Sequence, residues 1–189
     1  MTPRPTKVAL VVVLATTLAA FAAVVRLQVS GTLETGELAP ILWLLTGLFA
    51  VRVLGQVVVA TRSPTWLPPM DQWNLVPYRF LLPTQLVILG VMTWIDVSFS
   101  TSSGPPAERS EAFGWFLVAF SAVYAGAMAI RYIVRMRRRP EARWFGGTIP
   151  MVFHLVLATY LYALGSLCRR LSASSWSAAA RRGCRRQQR

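Results

Sequence analysis

Arg52, Gln56, Gln85, Arg131 and His154 are polar side chains set inside otherwise apolar stretches, and any chemistry this chain performs is expected to run through them. An arginine at the centre of a membrane-spanning helix costs about 2.5 to 3.5 kcal/mol on insertion scales, so something must compensate it. Gln56 follows Arg52 by one helical turn on the same face, while Gln85, Arg131 and His154 come from three further stretches. Together they offer an anion site: guanidinium groups clamp charge, amides orient a bound group, and an imidazole donates or accepts a proton. A plainer reading has Arg52 extending toward the headgroups while its neighbours make interhelical hydrogen bonds. Asp71 is the only carboxylate between Glu37 and Asp96, which makes it the expected counter-ion of Arg52 if the segment carrying it folds back beneath the bundle.

A second cluster lies in RMRRRPEARWFGGTIP, residues 135–150. Arg137, Arg138 and Arg143 would sit beside anionic headgroups at roughly 1 kcal/mol each. Gly146 and Gly147 expose backbone N–H groups at the start of a helix, a geometry that can hold phosphate. Retention of basic residues on the cytoplasmic side explains the same arginines without any ligand.

Several chemistries are missing. There is no phosphate-binding glycine loop with its lysine, no nucleophile elbow, no HExxH and no CxxC. With His154 the only histidine, multi-histidine zinc or haem ligation within one chain is not available. Asp96 is the only acidic residue well inside an apolar stretch, near its outer end, so paired carboxylates are absent as well. The sequence therefore predicts no catalytic group, no metal and no cofactor, and leaves open whether the chain is an enzyme.

The elements that must position these residues are apolar runs of about 18 to 23 positions, the length a helix needs to cross about 30 Å of hydrocarbon. Of the 189 residues, 54% are apolar and only 14% charged. The expected fold is all-α, a polytopic transmembrane helix bundle with spans at about 8–25, 38–60, 80–99, 112–134 and 149–167. Four spans remain if the first, which has the flanks and small residues of a secretory signal, is cleaved. Ala15, Ala19 and Ala23 in the first span, and Ser121, Ala122, Ala125, Gly126 and Ala129 in the fourth, form small-residue faces suited to close helix packing. Residues 62–79, RSPTWLPPMDQWNLVPYR, hold four prolines and two tryptophans and suit an ordered segment at the interface, or simple aromatic anchors.

The formal charge is +13, yet the arginines cluster at span ends rather than on a soluble groove, so the expected partner is the lipid bilayer and not nucleic acid. Anionic headgroups and another membrane protein are the remaining candidate partners. Orientation follows from the basic residues of the short connections. With the N-terminus cytoplasmic, the inner segments hold Arg4, Lys7, Arg62, Arg79, Arg135, Arg137, Arg138, Arg139 and Arg143, and the two outer loops only Arg26 and Arg109. Residues 1–168 are thus expected as the bundle, and 169–189 as a disordered basic tail that lies on the wrong side for this rule. An out-of-frame reading of GC-rich DNA has the same Arg, Ala, Ser and Gly composition as that tail.

RVLGQ at Arg52–Gln56, WLPPMDQW at Trp66–Trp73, PYRFLLPTQLVIL at Pro77–Leu89 and RWFGGTIPMVFH at Arg143–His154 resemble a family of uncharacterised bacterial integral membrane proteins. The likeness covers most of spans two to five and stops before the tail. It implies a bacterial cytoplasmic membrane and no particular activity. Function is then expected to be that of a small binding or accessory protein engaging anionic lipid or a membrane partner. The alternative is a membrane-embedded enzyme or carrier for an anionic, lipid-like substrate.

Overall fold

In a computed structural model, residues 4–62, 78–101, 111–138 and 148–187 are described. They form five helices: α1 (Arg4–Val29), α2 (Thr35–Arg62), α3 (Tyr78–Ser100), α4 (Glu111–Arg138) and α5 (Ile149–Gln187). All five are long and apolar enough to cross a membrane, as the apolar runs predicted. Every helix outruns its apolar run at one end or both, since polar residues beyond hydrocarbon depth still satisfy their backbone groups best inside the helix. Starting α2 at Thr35 moves Pro40 out of the expected first turn and into the second.

Polarity is inverted relative to a water-soluble bundle. Val87, Trp94, Phe116, Val123 and Ile130 point outward, while Thr17, Gln56, Gln85, Asp96 and Ser121 are buried. Outward apolar side chains are the arrangement that hydrocarbon as a solvent selects. At the centre lies α5, with 61% of its span buried against 17 to 33% for the others. It packs on α4, α2 and α1, and α3 packs on α2. Val156, Ala163 and Leu167 of α5 meet Val24 of α1 and Leu45, Phe49 and Val53 of α2 in one continuous core.

Helices α1 and α2 are joined by a tight turn that forces them antiparallel. Gly31 sits at φ 74°, in the left-handed region. The N–H of Thr32 reaches the carbonyl of Leu27 at 3.1 Å, and that of Gly31 the carbonyl of Gln28 at 3.3 Å. That pair of bonds is the Schellman closure, which needs a residue tolerant of positive φ at this place. The guanidinium of Arg170 lies over the same glycine, 3.6 Å from where a Cβ would stand.

The small-residue faces are only partly where the sequence put them. Ala15 and Ala19 of α1 are exposed, and the packed side instead carries Leu10, Thr17, Ala20 and Val24. On α4, Ser121 is buried and donates to the carbonyl of Ala158 at 2.8 Å, whereas nothing lies within 4 Å of a Cβ built on Gly126. Closest approach of α4 and α5 occurs one end of the span away, where Gly114 and Gly165 face each other. A Cβ on Gly165 would stand 2.8 Å from the Gly114 carbonyl oxygen.

The boundary expected after residue 168 is not an end of structure. Helix α5 continues unbroken to Gln187, because Ala and Arg are strong helix formers and no proline interrupts the run. Its first turn beyond the apolar stretch is packed rather than free: Ser172 is buried, Leu171 lies against the core, and the Arg169 guanidinium sits 3.4 Å from the centre of the Trp115 ring.

Candidate functional site

Three helices, α2 and α4 running one way and α5 the other, bring the first polar layer together. Arg52 of α2 extends over the Phe153 ring of α5, 5.1 Å from its centre, so these positions share one depth. Phe153 is followed by His154, whose Nδ1 is hydrogen-bonded to the hydroxyl of Tyr124 on α4; the two rings meet edge to face with centres 5.5 Å apart. Arg52 lies within electrostatic reach of both Tyr124 and His154. The register that sets this pair is the one already fixed by Ser121 and Ala158 on the same two helices, with a further bond of 3.2 Å between Tyr132 and Thr148 toward the connection.

Nη1 of Arg52 is buried and has no hydrogen-bond partner among the described residues. A guanidinium carries five N–H donors and cannot shed its charge, so an unfilled donor in low dielectric is an unmet demand. Phe153 supplies a ring face to the cation, and Tyr124 and His154 supply groups that can donate to or accept from whatever the guanidinium holds. Electrostatically the layer is positive: the charge of Arg131 also reaches His154.

The sequence-predicted residues divide among several places. Arg52 and His154 do come together. Gln56 (3% exposed) and Gln85 (7% exposed) are buried, but they stand about one turn nearer the end bearing the α2–α3 and α4–α5 connections. Gln56 is one turn from Arg52 on their shared helix, and Thr46 lying beside Asp96 with Trp43 bonding Ser100 at 3.0 Å sets a register that brings Gln85 to the level of Gln56 rather than of Arg52. Arg131 shares that lower level, yet its side chain is exposed on the outer face of α4. The sequence puts Gln56, Gln85, Arg131 and His154 in one layer about a turn below Arg52; the structure instead sets His154 at the level of Arg52 and leaves Arg131 on the surface. An arginine near a span end gains more by reaching water and headgroups than by entering the bundle. Arg137 and Arg138 are likewise exposed in the last turn of α4. Asp71, Arg143, Gly146 and Gly147 lie outside the described residues.

Tyr124 was missed by the sequence reading, and nothing in the sequence marks it among the aromatic residues of its span. Phe113, Phe116, Phe120 and Tyr124 form a ladder of stacked rings along α4, and the last rung meets the ring of His154. Asp96 is expected near the outer end of its stretch, and it does stand four residues before Ser100, the last residue of α3. The structure buries it completely, at 0% exposure, where its Oδ1 accepts from the Tyr160 hydroxyl at 2.9 Å. The signal available in the sequence was a lone carboxylate within an apolar span.

No family model, no curated relative and no solved structure matches this chain. The functional reading therefore rests on the geometry.

Proposed function

We propose that this chain is a small multi-pass protein of the bacterial cytoplasmic membrane, with its N-terminus cytoplasmic, that binds an anionic group of the lipid-headgroup type at Arg52. The observation carrying this reading is the buried Nη1 of Arg52, which has no hydrogen-bond partner among the described residues. A phosphate or carboxylate offers two oxygens in the plane of the guanidinium fork, and the hydroxyl of Tyr124 and ring of His154 stand ready to bond a third. Exposed Arg131, Arg137 and Arg138 favour approach of anionic lipid along α4, at the side made cytoplasmic by the bias in basic residues. Bacterial residence rests on the resemblance of the RVLGQ, WLPPMDQW, PYRFLLPTQLVIL and RWFGGTIPMVFH segments to uncharacterised bacterial membrane proteins.

A second reading is an enzyme or carrier for an anionic, lipid-like substrate. What favours it is the Tyr124–His154 hydrogen bond beside Arg52, an acid–base pair next to a charge clamp.

Lipid copurifying with the full chain in mild detergent, identified by mass spectrometry, tests the main reading. Wild-type protein should retain anionic lipid; Arg52→Leu should lose it while keeping any neutral lipid, without lowering thermal stability, and Arg52→Lys should lose most of it because the planar fork is gone. If instead Arg52→Leu leaves the lipid unchanged, or if Asp71→Asn destabilises the protein and Arg52→Leu rescues it, the arginine is one half of a structural ion pair and the proposal fails.

A further inference from the structure

Asp96 presents a demand opposite to that of Arg52, in a separate place. It is a carboxyl with no exposed surface, at the level of Thr46, which lies at the middle of the α2 span Thr35–Val58. One hydroxyl serves it: Tyr160 of α5 donates to Oδ1 at 2.9 Å, and that same O–H stands 3.2 Å from the carbonyl of Met92. A phenol has one proton to give, so it cannot satisfy both acceptors fully. Thr46 stands close enough for its hydroxyl to act on the carboxyl as a hydrogen-bonding neighbour, yet the pair falls short of full hydrogen-bond geometry. Oδ2 of Asp96 and Oγ1 of Thr46 are accordingly both buried and without partners among the described residues.

Among the described residues no cationic side chain is recorded acting on this carboxyl. The groups turned toward it are Thr46 from α2, Tyr160 from α5, and the Met92 carbonyl on its own helix. Arg52, the nearest cation on α2, lies six residues beyond Thr46, roughly 9 Å along the helix. A carboxylate in the middle of a bundle without a counter-charge is strongly disfavoured, and ionisable groups kept at such depth mark ion or proton sites.

We propose that Asp96, Thr46 and Tyr160 form a binding site for a small monovalent cation, a proton or a sodium ion, held between Oδ2 of Asp96 and Oγ1 of Thr46. One such cation neutralises the carboxyl and fills both unpartnered oxygens at once. The site is independent of the anion reading at Arg52, and neither needs the other.

The experiment is labelling of the full chain, in detergent micelles, by dicyclohexylcarbodiimide, with the modified residue located by peptide mass spectrometry. Wild-type Asp96 should be labelled in choline chloride at neutral pH. If sodium is the cation, sodium chloride at ten times its Kd should cut labelling roughly tenfold by occupying the site. If the proton is the cation, sodium should do no more than choline, and labelling should fall steeply as the pH is raised. Thr46→Val should shift whichever dependence is found, whereas Thr93→Val, whose hydroxyl bonds its own helix at 2.8 Å, should not. Asp96 labelling indifferent to both sodium and pH overturns the proposal, as does an Asp96 that reacts only after the protein is unfolded. A Thr46→Val protein with the wild-type dependence removes Thr46 from the site and overturns it equally.

Discussion

Replacing Gly165 by alanine should drive α4 away from α5. A Cβ at this position would stand 2.8 Å from the Gly114 carbonyl oxygen, 2.8 Å from Leu117 Cβ and 3.0 Å from Val118 Cγ2. Ordinary contact begins at 3.4 Å, so the opposing backbone has to retreat by about 0.6 Å, the difference between 3.4 and 2.8 Å. Backbone and Cβ atoms cannot rotate out of the way as the end of a long side chain can, and overpacking of this kind costs about 1 to 3 kcal/mol. Against this stands the gain of up to about 1 kcal/mol that any helical Gly→Ala change brings. Gly126→Ala on α4 carries the same gain with nothing within 4 Å of its Cβ, so it isolates that term. The difference between the two variants is the strain alone, and a value of 2 kcal/mol would change the folded-to-unfolded ratio roughly 30-fold. Reversible unfolding in mixed micelles with increasing sodium dodecyl sulfate, followed by tryptophan fluorescence, measures it. Equal midpoints for Gly165→Ala and Gly126→Ala would refute the close crossing of α4 and α5, and with it the register that joins Tyr124 to His154.

Two further outcomes can be checked. Arg169→Ala should lower the unfolding midpoint by an amount equivalent to about 0.5 to 1 kcal/mol, the worth of a cation over an exposed tryptophan face, and Trp115→Leu should make that substitution neutral; an effect of Arg169→Ala that survives in the Trp115→Leu background would show that the pair is not coupled. Single cysteines introduced at Thr35 and Ser103 should react with an impermeant maleimide added outside whole cells, while cysteines at Asp71 and Glu141 should react only after the cells are opened; outside labelling at Asp71 would invert the proposed orientation.

The number and placement of the helices were legible because each is an uninterrupted apolar run of bilayer length, a local property that needs no partner to declare itself. That Arg52 is out of keeping with its span was legible for the same reason: its charge contradicts its apolar surroundings. Which small residues pack was harder to read. Ser121 and Gly126 are both small, yet five residues turn a helix through about 500°, so they lie roughly 140° apart on its surface and only one can meet α5. Beyond residue 168 the polar composition suggests a disordered tail, whereas α5 runs on to Gln187, with Leu171 and Ser172 packed in its first turn past the apolar stretch.

What the sequence by itself determined is the set of spans, their lengths, and the polar residues that hydrocarbon cannot satisfy. Their partners were decided by the tertiary structure alone. The periodicity of one helix fixes which side chains share its face, but contains nothing about how far a neighbouring helix is displaced along its axis. That axial offset brings Asp96 level with Thr46 and Tyr160. It also sets Arg52 over Phe153, beside Tyr124 and His154. The offset is chosen by close approaches such as Gly114 to Gly165 and by single hydrogen bonds such as Ser121 to Ala158, contacts between residues 37 and 51 positions apart in the chain that no local pattern encodes.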